Sequence, residues 1–238
     1  MRSGKYKKKC ASDWFLEIFK VLFLVFVTVI CVYPFWNIFI VSINDATDAL
    51  RGGLYFLPRK LSIASYIDIL KRDTFLHGIW VTLLRTVIGT PLAVLFTTML
   101  AYVLSREDLL WKKGLNLLFV FTMYFGGGMV PYYMVLKNLG MLNNFIVFIF
   151  PNIISVYNMI LVKNYIEGMP KEIFESSKID GANDLVIFFK IVFPLSKPII
   201  MTIALFVAVM HWNSWFDAYL YTNSQSLKTM QSILVEIL

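Results

Sequence analysis

The chain has 238 residues, 58% of them hydrophobic and only 16% charged, with a formal net charge of +7 and a mean hydropathy of +0.70. Soluble domains average about 45–50% apolar and about 25% charged residues, so this composition excludes a soluble globular domain, a disordered chain and a small disulfide scaffold. An all-α integral membrane protein remains. The two cysteines, Cys10 and Cys31, have neither CxxC spacing nor a neighbouring histidine, so no metal site or structural disulfide is expected of them. The basic residues are spread between apolar runs, which sets nucleic acid aside as a partner.

In chain order, residues 1–13 form a basic tail with Arg2, Lys5, Lys7, Lys8 and Lys9, followed by a first apolar span over 14–43 whose core, Val21 to Tyr33, is uncharged. The pair resembles a signal peptide, but the apolar region is too long and no small-x-small cleavage site follows, so a retained helix is expected. Residues 44–78 form a loop with Gly52, Gly53 and Pro58; its Leu61/Ile63/Tyr66/Ile67/Leu70 pattern predicts a short surface helix. Four further spans fall at about 79–104, 115–136, 141–162 and 198–221, a tight turn lies at Lys137 to Gly140, and residues 222–238 begin another loop. With the N-terminus cytoplasmic, 14 of the 22 basic residues lie inside, and five of the other eight fall in the long 44–78 loop. The positive-inside bias therefore supports that orientation.

Residues 163–197 form a cytoplasmic segment too long for a passive turn. Pro170 suits a first helical position and Gly181 the left-handed position just past a last turn, so a helix of about ten residues is expected between them. Its faces divide into Ile173, Phe174 and Ser177 on one side and Lys171, Glu175 and Lys178 on the other, with Lys171–Glu175 and Glu175–Lys178 spaced to pair. Asn183 or Asp184 is placed to cap a second helix ending at Pro194, and Pro198 opens the fifth span. A helix this short is unstable alone in water and must dock on something.

The run Glu175-Ser176-Ser177-Lys178-Ile179-Asp180-Gly181-Ala182, with Ile191 and Pro194 at the following spacing, resembles the EAA loop of the membrane subunits of bacterial ATP-binding-cassette importers. The family has alanines where this chain has Ser176 and Ser177, and leucine at the position of Phe193. Phe125-Gly126-Gly127-Gly128-Met129-Val130-Pro131-Tyr132, Lys137-Asn138-Leu139-Gly140 and Trp212-Asn213-Ser214-Trp215 are similar to signatures of its oligosaccharide-importing branch, including importers of uronate-containing sugars. The resemblance implies a MetI-like type I fold in which five spans are found here and the family's sixth is missing, in a bacterial cytoplasmic membrane. It implies a permease without an ATPase site of its own, ATP and Mg residing on the partner and no cofactor on this chain. The implied partners are a second permease subunit in a heterodimer, two ATP-binding-cassette subunits and an extracytoplasmic solute-binding protein. Glu175, Ser176, Ser177, Lys178, Asp180, Gly181, Ala182 and Pro194 would couple to the ATPase.

Tyr132, Trp212, Asn213 and Trp215 are candidates to line a sugar path, because aromatic rings stack on pyranose faces and amides bond hydroxyls; interfacial anchoring explains the same residue types. Gly126 to Gly128 lack the Lys-Ser/Thr of a phosphate loop and instead let helices approach or break the third span. His211 and Asp217, polar groups on the fifth span, raise the alternative of a proton-coupled secondary transporter, which an isolated Asp217 serves poorly. Arg85, Asn152 and Asn158 are read as snorkelling or helix–helix contacts.

Overall fold

A computed structural model describes residues 11–237; the basic tail through Cys10 and the terminal Leu238 lie outside the described residues. It divides into two compact units, residues 1–72 and 73–238.

In the first unit, α1 (Ala11–Ser42) is apolar all round, the pattern of a membrane span, and Phe15, Phe26 and Phe35 are all exposed. Thr28 satisfies its hydroxyl on the Leu24 carbonyl one turn back, at 2.7 Å. Beyond α1, the buried Asn44 side chain accepts the N–H groups of Arg59 and Lys60, both at 2.9 Å, and donates to Asp48 at 3.0 Å. Arg59 adds bonds to Asp48 (3.1 Å) and the Gly52 carbonyl (2.7 Å), closing a loop that contains α2 (Ala46–Ala49). The surface helix expected near Tyr66 is α3 (Ala64–Leu70).

The second unit is organised on α4 (Asp73–Ser105), which begins six residues earlier than the sequence suggested. Small residues on its buried face, among them Gly89, Ala93, Thr97, Thr98 and Ala101, let other helices approach closely. One apolar core joins α4 to α7 (Val156–Glu167) and α11 (Lys197–Asn213) through Ala101, Leu104, Val162, Ile166, Val192 and Ile203. A second gathers Val81, Leu136, Val147, Phe148 and Ala218.

Three of the expected spans are broken, the third at the glycine triplet as one of its two readings anticipated. The third is α5 (Lys112–Tyr124) and α6 (Met129–Asn138), bent by 113° at the glycine triplet, where Gly128 takes φ +85°. No side chain crowds Gly126 or Gly128, so these glycines break the helix and do not mediate close packing. The fourth begins as 3-10 turns over Phe145–Phe148 and Phe150–Asn152, where Pro151 supplies no N–H, and restarts as α7 with Ser155 as cap, a bend of 44°. The fifth is α11 and α12 (Phe216–Tyr221), interrupted at Ser214–Trp215. Between α7 and α11 lie α8 (Lys171–Ile179), α9 (Asp184–Ile187), a π-helical turn over Phe188–Val192 and α10 (Phe193–Leu195); α13 (Met230–Ile237) packs on α4. Among the described residues two helices are long and apolar enough to cross a membrane, or up to five when each of three bent pairs is one span, the third pair being Asp184–Leu195 with Lys197–Asn213.

A Cβ on Gly89 would lie 2.7 Å from Nε2 of the buried His211 ring, which has no room to swing away. Gly89→Val is therefore expected to destabilise the α4–α11 pair by about 1–3 kcal/mol, read as a lower thermal unfolding midpoint in detergent than that of Gly126→Val, which meets open space.

Candidate functional site

The segment with the most chemistry outside the spans is α8 and its surroundings. Pro170 stands at the cap with ψ 130°, one position before the first helical residue and not on it. Phe174 packs on the apolar core and Ser177 is buried, while Glu172, Glu175 and Ser176 face outward. Both serines that replace alanine bond to the Ile173 carbonyl, Ser177 at 2.6 Å and Ser176 at 3.2 Å, so neither hydroxyl is left seeking a partner. The helix ends in a full Schellman motif: the Ala182 N–H reaches the Ser177 carbonyl (3.0 Å) and the Gly181 N–H that of Lys178 (3.1 Å). That geometry needs Gly181 at φ +77°, with Asp180 as the capping residue. Asn183 then caps α9 by accepting the Val186 N–H at 2.9 Å.

The expected Lys171–Glu175–Lys178 ladder does not form. Lys171 instead bridges to Glu107 at 2.5 Å and Lys178 to Asp108 at 3.8 Å, both acids lying on the turn between α4 and α5. The physical reason is position: that turn supplies two carboxylates within reach of opposite ends of α8, and Glu175 is left exposed between them. Arg106 on the same turn grips Asp108 (2.5 Å) and also Asp184, the first residue of α9. Lys112, first on α5, bridges to Glu167 at the end of α7 at 2.8 Å. A half-open cavity of about 450 Å³ lies between these charges, with Tyr102, Phe174 and Ile187 as its apolar wall. Sequence reasoning counted Arg106 only as a topological charge; the signal missed was the Arg-Glu-Asp run facing a helix with lysine at each end.

The Arg106 guanidinium beside Asp108 holds its carboxyl down to about 2. Because the folded value is below the ordinary 3.8, the stabilisation is complete above about pH 4 and lost only as pH falls through about 2. Asp108 is therefore charged at any working pH.

Pro194 does not end the second helix. It sits in α10, just after the π-helical turn, whose widening opens the hydrogen-bond ladder where the proline lacks an N–H. The chain turns by 81° only at Ser196, and Pro194 belongs to that bend and not to the α8 exit.

The four sugar-path candidates fall at two places. Trp212, Asn213 and Trp215 stay together at the α11–α12 break, all three exposed, with the Trp215 ring tilted against that of Tyr219 (6.2 Å between centroids). Asn213 donates to the Val209 carbonyl at 3.0 Å, leaving its side-chain oxygen available. Tyr132, on α6, instead meets Tyr221 at the far end of α12, at 6.2 Å.

Next to that break the structure decides between the two readings of Arg85, in favour of a helix–helix contact, and corrects that of Asp217. Arg85 is fully buried and does not snorkel: its Nη2 lies 2.5 Å and its Nη1 3.1 Å from the two Asp217 oxygens, and its guanidinium lies 4.7 Å over the Phe148 ring. Asp217 is accordingly not isolated, and also accepts from Ser214 Oγ and the Ala218 N–H, both at 2.9 Å. Opposite charges on two separate spans were the available signal. Among the described residues no cluster of three His, Cys, Asp or Glu side chains is placed to hold a metal.

Asp217→Asn should leave the Arg85 charge buried without its counter-charge and destabilise the unit by about 3–5 kcal/mol, whereas Arg85→Met with Asp217→Leu should recover most of that loss in the same thermal unfolding assay. Arg106→Gln should raise amide hydrogen exchange selectively over residues 171–187, with helicity by circular dichroism unchanged.

Residues 60–234 match the family model described as binding-protein-dependent transport system inner membrane component. The chain is 40% identical over 215 residues to the polygalacturonan/rhamnogalacturonan transport system permease protein YtcP of Bacillus subtilis strain 168, covering 90% of this chain and 75% of that protein. It is 36% identical to protein LplC of the same organism over 93% of this chain and 75% of the relative. A crystal structure of a bacterial ABC transporter involved in import of the acidic polysaccharide alginate superimposes with a TM-score of 0.89 at 28% identity, covering 97% of this chain and 82% of the other. The bent spans, the glycine-terminated α8 and these likenesses agree: the chain belongs to the family of inner-membrane permease components of binding-protein-dependent ABC importers.

Proposed function

We propose that this chain is one half of the translocation path of an ATP-driven importer for an oligosaccharide containing uronate residues, and that α8 is its contact with a cytoplasmic ATPase. The observation that carries the reading is the arrangement of α8. The helix is short and docks its apolar face on the core, while the Glu175–Ser176 edge faces outward and both flanking lysines are tied back to the α4–α5 turn. An exposed, correctly oriented carboxylate on a helix fixed at both ends is what a docking lever requires, since force applied to it must move the spans and not just the helix. The Schellman exit at Gly181 adds stiffness where the chain turns toward α9.

In this reading, closure of two ATPase subunits shifts α8, and the charge links carry the shift to α4 through the turn at Arg106 and to α7 through Glu167. α4 in turn packs on α11, whose end bears Trp212 and Asn213 beside the break. Rings there can stack on sugar faces and the Asn213 amide oxygen can accept from a hydroxyl. The names of the relatives, which specify polygalacturonan/rhamnogalacturonan and the acidic polysaccharide alginate, favour an acidic sugar. The N-terminus lies in the cytoplasm, a second and different permease completes the pore, and a solute-binding protein delivers the sugar from outside. This chain holds no ATP site; nucleotide and Mg belong to the partner. A proton-coupled carrier is disfavoured because Asp217 already accepts from Arg85, Ser214 and Ala218.

Glu175→Ala is expected to keep membrane insertion and assembly, seen as co-purification of an ATPase and a second permease in mild detergent. Substrate-stimulated ATP hydrolysis should fall about 5- to 150-fold, the range of typical coupling free energies. Normal stimulated hydrolysis and uptake in that variant would overturn the coupling role.

A further inference from the structure

The loop that follows α1 does not simply leave the membrane. The Leu54 carbonyl accepts the Asn37 side-chain N–H at 2.6 Å and the Phe56 carbonyl accepts the Trp36 indole N–H at 3.2 Å, while the Phe56 ring lies 5.9 Å from that of Tyr33. Asn37 and Trp36 stand five and six residues before the helix ends at Ser42, so the loop folds back about 8–9 Å along the helix axis. The uncharged stretch of α1 runs from Val21 to Ser42, and about 30 Å of hydrocarbon laid from Val21 reaches to about Val41. The loop therefore returns to the depth of the apolar layer.

Non-helical backbone at that depth needs its polar groups satisfied by protein, because lipid offers no partner. Asn37 is otherwise an unexplained amide in an apolar span, and with Trp36 it supplies the two donors. The side chains at this point are apolar and outward: Tyr55 is 62% exposed, Phe56 68% and Leu57 74%. In water such a cluster would be unfavourable, whereas Tyr and Trp beside aliphatic groups suit the boundary between headgroups and acyl chains. Asn44 and Arg59 close the loop above it, so the tip is held as a shaped unit.

We propose that residues 54–57 form a wedge inserted into the leaflet at the Ser42 end of α1, with Trp36 and Asn37 as the side chains that hold it down. Its partner is the lipid itself, at the interfacial layer. The wedge fixes the depth and rotation of α1, which would otherwise slide, because its apolar run from Trp14 to Ser42 is longer than the bilayer core.

The test uses the full chain in its assembled complex, reconstituted in phosphatidylcholine vesicles, with Cys10→Ser and Cys31→Ser and a nitroxide on single cysteines at Tyr55→Cys or Leu57→Cys. Phe39→Cys on α1 gives the lipid reference and Asp68→Cys the aqueous one. Labels at 55 and 57 should collide with oxygen in preference to a water-soluble nickel chelate, as at 39. Nickel accessibility like that at 68 would overturn the proposal, as would shielding from both relaxants, which would mean that a protein surface covers the tip. Adding Asn37→Leu should raise nickel accessibility at 55 several-fold; no change would show that the carbonyl contact does not hold the wedge. If Asn37→Leu fails to insert, the labels in the otherwise unsubstituted chain still decide.

Discussion

A single guanidinium in the middle of α4 constrains most of the second unit. Arg85 is wholly removed from solvent, and a charge so placed must find a counter-charge and enough acceptors within the protein. Asp217 supplies the counter-charge, and it can do so only if the chain breaks after Asn213 and restarts as α12 with Ser214 and Ala218 turned toward the same carboxylate. The break at Ser214–Trp215, which also presents the aromatic and amide groups at the end of α11, is thus tied to a charge one helix away. Gly89, one turn along α4 from Arg85, admits His211 and brings α11 into register with that pair.

The same helix ends in the Arg106–Glu107–Asp108 turn, so one rigid element has a buried ion pair near its middle and an ionic attachment for α8 at its end. The two differ in kind. The internal pair is desolvated and governs which helices can pack together, whereas the pairs to α8 are water-facing and individually weak, and act as a set of tethers. Tethers of this sort permit a small reorientation without unfolding, which the coupling role proposed for α8 requires. The breaks in the third and fifth spans expose backbone and ring faces that a continuous apolar helix would seal, which is what the proposed sugar path requires.

Much of the fold was legible in the sequence because lipid leaves few choices: apolar runs of sufficient length had to be helices, and Gly181, Asn183 and the glycine triplet marked ends by their own conformational preferences. Local chemistry fixed α8 almost to the residue. What stayed hidden depended on partners distant in the chain. Lys171 and Lys178 had a plausible neighbour in Glu175 at helical spacing, and nothing local revealed that Glu107 and Asp108 lay closer. Arg85 and Asp217 are separated by 132 positions, so their pairing could not be read from periodicity. Pro194 misled for a different reason: proline normally terminates a helix, but the π-helical turn before it removes the conflict.

In the proposed function this chain moves an acidic oligosaccharide by ATP hydrolysis on another subunit. Uptake of labelled trigalacturonate into proteoliposomes holding the co-purified permeases and ATPase, with solute-binding protein supplied on the side opposite to the ATPase, tests it most directly. Accumulation is expected to require both ATP and the binding protein and to be unaffected by a neutral trisaccharide. Accumulation driven by an imposed proton gradient in the absence of ATP would contradict it.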